Sequence, residues 1–166
     1  LMGCNTAHYF FFFFFPYLKR PLLNMIEATA RWCRAKGIGC AGLLATVGTY
    51  QSGIYQQAFK KFGVRLVLPM KAEQEIVQSL IYEGVKAGRT EYDVKPFRAV
   101  TGTMKAQGAE VFVLGCTELP LALRMYQIQE SCIDATQILA EAAIEYVGAS
   151  RQLLPELSQA SALMTG

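Results

Sequence analysis

Short apolar runs alternate with helix-length segments along most of this 166-residue chain, and this alternation constrains the fold more than any other feature. Strands that are separated by helices favour βα units, because a parallel connection between neighbouring strands needs a crossover of a dozen or more residues. We therefore predict an α/β fold with a parallel sheet. The predicted strands are residues 22–24, 38–45, 65–68, 110–114 and 132–133.

Helical segments are predicted between these strands. They are residues 25–36, 52–62, 72–87, 92–107 and 135–147, with a short helix after residue 118. Gly37 and Gly63 are typical of helix ends, whereas Ser52 and Asp134 are typical N-cap residues. Residues 46–52 contain several polar side chains and a glycine, and are predicted to form a loop.

Composition and charge exclude several classes of function. Hydrophobic residues make up 52% of the chain and charged residues 17%, against usual values of about 45–50% and about 25%. This composition excludes a disordered chain. The net charge is +3, and no basic stripe is interleaved with aromatic residues, so no nucleic-acid partner is expected.

Six consecutive phenylalanines occupy residues 10–15. The apolar run 9–18 that contains them is about half of the ~20 residues that a membrane span needs. No basic segment precedes the run and no small-residue cleavage site follows it, as a signal peptide would require. We therefore expect a packed helix face, no membrane partner and a cytoplasmic location.

Two cysteine segments share one plan, in which a glycine and a cysteine follow an apolar strand end: Gly3-Cys4-Asn5-Thr6 and Gly115-Cys116-Thr117-Glu118. Ligands of parallel sheets bind at the carboxyl ends of the strands. Each thiol is expected near a helix N-terminus, whose dipole lowers a thiol pKa. Two such thiols suit a cofactor-free racemase, in which one removes the α-proton and the other returns a proton to the opposite face. The alternative is two core cysteines at strand ends.

The other cysteines have a simpler interpretation. Cys33, Cys40 and Cys132 lie within predicted helices or strands and are expected in the core. The five cysteines form no C-x-x-C pair, and the chain has one histidine, so no metal site is expected.

Three motifs resemble those of the aspartate/glutamate racemase family. They are Cys-Asn-Thr-Ala-His at 4–8, Gly-Leu-Leu-Ala-Thr-Val-Gly-Thr at 42–49 and Gly-Cys-Thr-Glu-Leu at 115–119. Apart from the phenylalanine run, the resemblance extends from residue 1 to about residue 148. Glutamate racemases carry histidine after the second Cys-Thr, whereas this chain has Glu118. The chain therefore resembles most the aspartate racemase or broad-specificity branch.

This resemblance implies a pyridoxal-independent racemase of aspartate or glutamate, with no cofactor and with a homodimer as a possible assembly. Cys4 and Cys116 would be the catalytic pair. The residues implied in substrate binding are Asn5, Thr6, Thr46, Gly48, Thr49, Lys86, Thr117 and Glu118.

Several of these roles keep a structural alternative. The 46–49 loop is either a carboxylate site or a simple strand-to-helix turn. Lys86 read without the family is a solvated lysine at a helix end, and His8 either contacts the Cys4 thiolate or caps a turn.

The resemblance also implies a domain organisation of two similar α/β lobes. Family members carry further βα units before the first Cys-Asn-Thr. We therefore expect residues 27–129 to form the second lobe, nearly complete, and residues 1–26 and 130–150 to be remnants of the first. Residues 151–166 are expected to form a tail.

Such a chain would have impaired activity. Two alternatives stay open. One is a dicarboxylate decarboxylase or cis–trans isomerase of the same superfamily, and the other is an inactive fragment that associates through exposed apolar surface.

Overall fold

The computed structural model of the chain describes residues 4, 5, 7, 23–146 and 148. The predictions for Thr6, His8, the phenylalanine run, Leu22 and the 151–166 tail lie outside these residues.

Parallel strands form one sheet at the centre of the described residues. The strands are β1 (Cys40–Leu44), β2 (Arg65–Val67), β3 (Val111–Leu114) and β4 (Cys132–Asp134), in the order β2-β1-β3-β4. Each neighbouring pair is parallel. The chain adds β2 on one side of β1 and then crosses to add β3 on the other side, so the order reverses between β1 and β3. The predicted α/β class and four of the predicted strands are confirmed.

Helices flank the sheet on both faces. They are α1 (Met25–Ala35), α2 (Val47–Ser52), α3 (Ile54–Lys61), α4 (Lys71–Ser79), α5 (Lys95–Ala106), α6 (Leu119–Met125) and α7 (Ala135–Tyr146). A π-helical stretch, Leu80–Lys86, continues α4 directly. Asp134 caps α7 as predicted, because its Oδ1 accepts hydrogen bonds from the backbone N–H groups of Thr136 and Gln137.

Three predictions of local structure are wrong. Asn24 belongs to no strand but is the N-cap of α1, where its Oδ1 accepts from Ile26 N at 3.0 Å and Glu27 N at 3.2 Å.

The predicted loop 46–52 contains α2. Gly53, in the left-handed region at φ 68°, then separates α2 from α3, so the next helix begins after Gly53 and not at Ser52.

The two faces of the sheet carry separate apolar layers, because successive strand side chains point to opposite faces. One layer joins the strands to α4, α5 and α6, and includes Leu44, Leu80, Phe97, Met104, Phe112 and Leu114. The other layer joins the strands to α1, α3 and α7, and includes Ile26, Leu43, Tyr55, Phe59, Val113 and Ile138.

The segments on either side of the predicted second lobe meet each other in space. Leu23 and Met25 pack with Ala135 and Leu139 in a small third cluster. β4 extends the same sheet, and α7 packs against α1. The division of the chain into two lobes stays a prediction. In the part of the chain that the structure describes, no helix has the length and apolar character of a membrane span.

Gly42 offers a test of the packing between β1 and α5. A Cβ at this position would lie 2.7 Å from Phe112 Cδ1 and 2.9 Å from Met104 Cε. We expect Gly42→Ala to lower the free energy of unfolding by about 1–3 kcal/mol, because the added methyl overpacks the layer. Urea denaturation measures the change.

The matched control is Gly102→Ala in the exposed interior of α5, where an added Cβ meets no other atom within 4 Å. It is expected to raise the free energy of unfolding by roughly 0.5–1 kcal/mol. A Gly42→Ala variant that unfolds at the same urea concentration as the wild type would contradict the close contact.

Candidate active site

The carboxyl ends of β1 and β3 lie side by side at the point where the strand order reverses. Gly115 N donates to Leu44 O at 2.7 Å. A Cβ on Gly115 would lie 3.0 Å from Leu43 Cδ1 and 3.1 Å from Ala45 Cβ, so this approach favours glycine. The segment that begins at Thr46 and the segment that begins at Cys116 therefore lie at the same edge of the sheet, where ligands of α/β proteins bind.

Cys116 is a half-buried thiol that is held by a carboxylate. Its Sγ donates to Glu118 Oε2 at 2.9 Å, and Thr117 Oγ1 donates to the same oxygen at 3.0 Å. Burial and the hydrogen bond to Glu118 raise the pKa of Cys116 from 9.0 to about 12. The predicted lowering of this pKa by a helix N-terminus is therefore wrong, because the thiol is desolvated and has an anion beside it.

Glu118 also forms an ion pair with Lys86. The distance from Lys86 Nζ to Glu118 Oε1 is 3.4 Å, with the two side chains 41% and 23% exposed. Burial alone would raise the pKa of Glu118. The hydrogen bonds from Cys116 and Thr117, together with the charge of Lys86, outweigh burial and lower this pKa, so Glu118 is a carboxylate at neutral pH.

Lys86 reaches this edge from the end of the π-helical stretch, and its ammonium also lies 4.4 Å from the centroid of the Tyr82 ring. Within this stretch, a Cβ on Gly84 would lie 3.1 Å from the Tyr126 hydroxyl and 3.3 Å from Tyr92 Cδ2. The sequence predicted one continuous helix over residues 72–87 and not a π-helical stretch. The one local signal of an irregularity is Gly84 inside the helical segment.

The α2 segment presents two neighbouring hydroxyl groups. Thr46 Oγ1 and Thr49 Oγ1 are 3.1 Å apart; Thr49 is buried, Thr46 is half-buried and Gly48 is exposed. The Tyr50 hydroxyl accepts from Ala45 N at 2.8 Å and donates to Leu43 O at 3.3 Å, which fixes the end of β1 beneath them. Tyr50 was not among the predicted residues.

The first cysteine segment is attached to α3 through a tyrosine. Cys4 is exposed, whereas the next residue, Asn5, is only 3% exposed. The Tyr55 hydroxyl donates to Asn5 Oδ1, and Asn5 Nδ2 has no hydrogen-bond partner among the described residues. Burial and then the nearby charges of Asp134 and Cys116 raise the pKa of Tyr55. Tyr55 therefore links Asn5 to α3, and sequence reasoning missed it.

The other three cysteines lie in the apolar layers or pack against them. Cys33 and Cys40 are buried as predicted, and Cys132 is half-buried. Within residues 4, 5, 7, 23–146 and 148, no group of three histidine, cysteine or acidic side chains could hold a metal ion.

Two substitutions test whether charge controls the Cys116 thiol. Glu118→Gln removes the negative charge beside Sγ and is expected to lower the pKa of Cys116, whereas Lys86→Met removes a positive charge and is expected to raise it. At pH 9, Glu118→Gln should therefore speed alkylation of Cys116 by iodoacetamide roughly 3- to 30-fold, and Lys86→Met should slow it. Mass spectrometry of the tryptic peptides measures the rates.

Cys33 is the internal control for this experiment, because burial also raises its pKa to about 12 but its thiol has no contact with Glu118 or Lys86. Its alkylation rate should be the same in both variants. If the Cys116 rate moves in the same direction in both variants, electrostatic control by this ion pair is refuted.

Solved structures of racemases share this fold. The chain is 31% identical to the aspartate racemase of Picrophilus torridus and matches its structure with a TM-score of 0.73, over 90% of this chain and 62% of that one. It is 26% identical to an aspartate racemase homologue from Pyrococcus horikoshii OT3, with a TM-score of 0.72, over 87% of this chain and 64% of that one.

A curated relative is also a racemase. The broad-specificity amino-acid racemase RacX of Bacillus subtilis is 25% identical over 146 residues, which cover 86% of this chain and 62% of the relative. The chain thus spans less than two thirds of the length of each of these three proteins. Residues 1–143 match the family model described as Asp/Glu/Hydantoin racemase. The chain therefore belongs to the Asp/Glu/hydantoin racemase family.

Proposed function

We propose that this protein is a pyridoxal-independent amino-acid racemase that acts on aspartate or glutamate through two thiols, Cys4 and Cys116. The observation that carries the proposal is the Cys116 thiol bound to Glu118, which in turn pairs with Lys86, at the point of the sheet where the strand order reverses. A titratable group with a perturbed pKa at this position is typical of an active site.

The charges at this edge suit a small acidic amino acid, which carries two carboxylates and one ammonium. Lys86 would bind a carboxylate and Glu118 would accept hydrogen bonds from the ammonium. The hydroxyls of Thr46 and Thr49 form a hydrogen bond of 3.1 Å, and with Thr49 as its donor the half-buried Thr46 hydroxyl would donate to a carboxylate oxygen, with the exposed Gly48 leaving room for it. Asn5, Thr6 and Thr117 would complete the substrate contacts.

The two thiols would move protons on opposite faces of the α-carbon. The Cys4 thiolate takes the α-hydrogen as a proton, and the electron pair of the broken C–H bond delocalises into the α-carboxylate. The Cys116 S–H bond then breaks, its proton forms the new C–H bond on the other face, and Cys116 is left as the thiolate. The raised pKa of Cys116 suits the acid role, and the charge of Lys86 stabilises the thiolate formed.

The same proposal includes the organisation of the chain. Residues 27–129 would be the second of two similar lobes, and residues 1–26 and 130–150 would belong to the first. The cluster of Leu23 and Met25 with Ala135 and Leu139 supports this assignment, because it joins the two flanking segments. A cytoplasmic homodimer is proposed from the family resemblance.

Exchange of the α-hydrogen tests the proposed reaction. The full chain in D₂O, without pyridoxal phosphate, is expected to exchange the α-hydrogen of L- and D-aspartate, with glutamate as a parallel substrate. Cys4→Ala and Cys116→Ala should each lower racemisation by roughly 100-fold or more, because each removes one of the two proton-transfer groups. Proton NMR follows the exchange, and chiral chromatography follows the racemisation.

Cys33→Ala is the control, since Cys33 is a buried thiol in the layer between α1 and the sheet. This variant should racemise at close to the wild-type rate. Wild-type racemisation by either Cys4→Ala or Cys116→Ala would exclude the two-thiol mechanism, and a wild-type chain inactive on both amino acids would exclude the proposed function.

A further inference from the structure

We propose that Tyr55 is a positioning residue of this site, whose hydroxyl orients the Asn5 amide so that its Nδ2 group binds a carboxylate of the substrate. This inference rests on the proposed function and assigns part of its substrate recognition to a residue that lies in the core.

The position of the Tyr55 hydroxyl is set by packing. Tyr55 is the second residue of α3, its side chain is fully buried, and its ring lies 5.9 Å from that of Phe59, measured between centroids. The hydroxyl donates to Asn5 Oδ1. Because burial raises the pKa of Tyr55, the hydroxyl keeps its proton across the pH range in which the protein would act.

This contact determines what the amide can still do. An asparagine side chain has one acceptor oxygen and one nitrogen with two N–H donors. With Oδ1 bonded to Tyr55, the groups left to interact are the N–H donors of Nδ2. These donors are buried and have no partner among the described residues. Leaving a buried donor without an acceptor is costly, so the geometry points to an acceptor that arrives with a ligand.

The substrate group that pairs with Nδ2 is a carboxylate and not the ammonium. Nδ2 only donates hydrogen bonds, and so does the ammonium of an amino acid, which therefore cannot pair with it. A carboxylate oxygen accepts strongly from such donors. Asn5 follows the exposed Cys4 in the chain, so a carboxylate site on Nδ2 would belong to the residue next to the thiol proposed to remove the α-proton. The family resemblance left open which substrate group Asn5 contacts, and the Tyr55 contact selects the carboxylate.

Tyr55→Phe should therefore weaken binding more than turnover. Without the hydroxyl, the amide can rotate and present Oδ1 instead of Nδ2 to the site. We expect KM for aspartate to rise roughly tenfold while kcat stays within about threefold, which is the pattern for a contact made equally in the ground and transition states. The Kd of succinate, a dicarboxylate that cannot racemise, should rise by the same factor in isothermal titration calorimetry.

A second variant keeps the tyrosine and removes only the donors. Asn5→Asp retains an oxygen that accepts from Tyr55 but has no N–H group. It is expected to lose succinate binding altogether. Because Tyr55 is unchanged in this variant, it tests the inference even if Tyr55→Phe does not fold.

Thr101→Val is the matched control for the loss of a buried hydroxyl. Thr101 Oγ1 donates to Glu130 Oε1 at 2.7 Å. Glu130 lies just before the start of β4, whereas Cys116 follows the carboxyl end of β3, so the two residues lie at opposite ends of the parallel strands. This variant should lower the Tm, as Tyr55→Phe also should, but leave KM and the Kd of succinate at their wild-type values.

Two results would overturn the inference. If Tyr55→Phe lowers the Tm but leaves KM and the succinate Kd unchanged, or if Asn5→Asp binds succinate as the wild type does, Tyr55 has a structural role only. In that case the racemase proposal stands as long as the wild type racemises aspartate or glutamate. If the wild type neither exchanges the α-hydrogen of these amino acids nor binds succinate, both proposals fail together.

Discussion

The approach of β3 to β1 at Gly115 is the contact on which the candidate site depends. The hydrogen bond from Gly115 N to Leu44 O aligns the carboxyl ends of the two strands at the point where their order reverses. The thiol of Cys116 and the hydroxyls of Thr46 and Thr49 follow directly from those strand ends. The chemistry of this edge therefore depends on a position that has no side chain, because the facing residues leave little room for one.

Glu118 links the groups that gather at this edge. Its two oxygens serve different partners, since Oε2 accepts from Cys116 and Thr117 while Oε1 faces Lys86. A change in the charge of any of these groups is therefore felt by the others over short distances and in partly desolvated surroundings. A carboxylate placed in this way couples the protonation of a thiol to the charge of a neighbouring lysine.

Local sequence patterns predicted the four strands of the sheet and several helix limits, because buried parallel strands are continuous apolar runs and the caps are single residues such as Asp134. Two of their failures involve a partner that is distant along the chain. The first N–H of α2 is satisfied by Gln78, 31 residues away, and Tyr55 meets Asn5 across 50 residues. The shift in the pKa of Cys116 has the opposite direction to the prediction for a local reason. The prediction considered the dipole of the helix N-terminus but neither the burial of the thiol nor the Glu118 carboxylate that accepts its hydrogen bond.

The π-helical stretch has a consequence for how Lys86 is presented. In an α-helix each residue turns the chain by about 100°, whereas i→i+5 hydrogen bonds put more residues into each turn. The residues from Leu80 to Lys86 are therefore out of phase with the face that α4 establishes before them. A helical wheel drawn through both segments misplaces Lys86. Regular α-helical hydrogen bonding through Leu80–Lys86 would turn this lysine away from Glu118 without replacing any residue of the site.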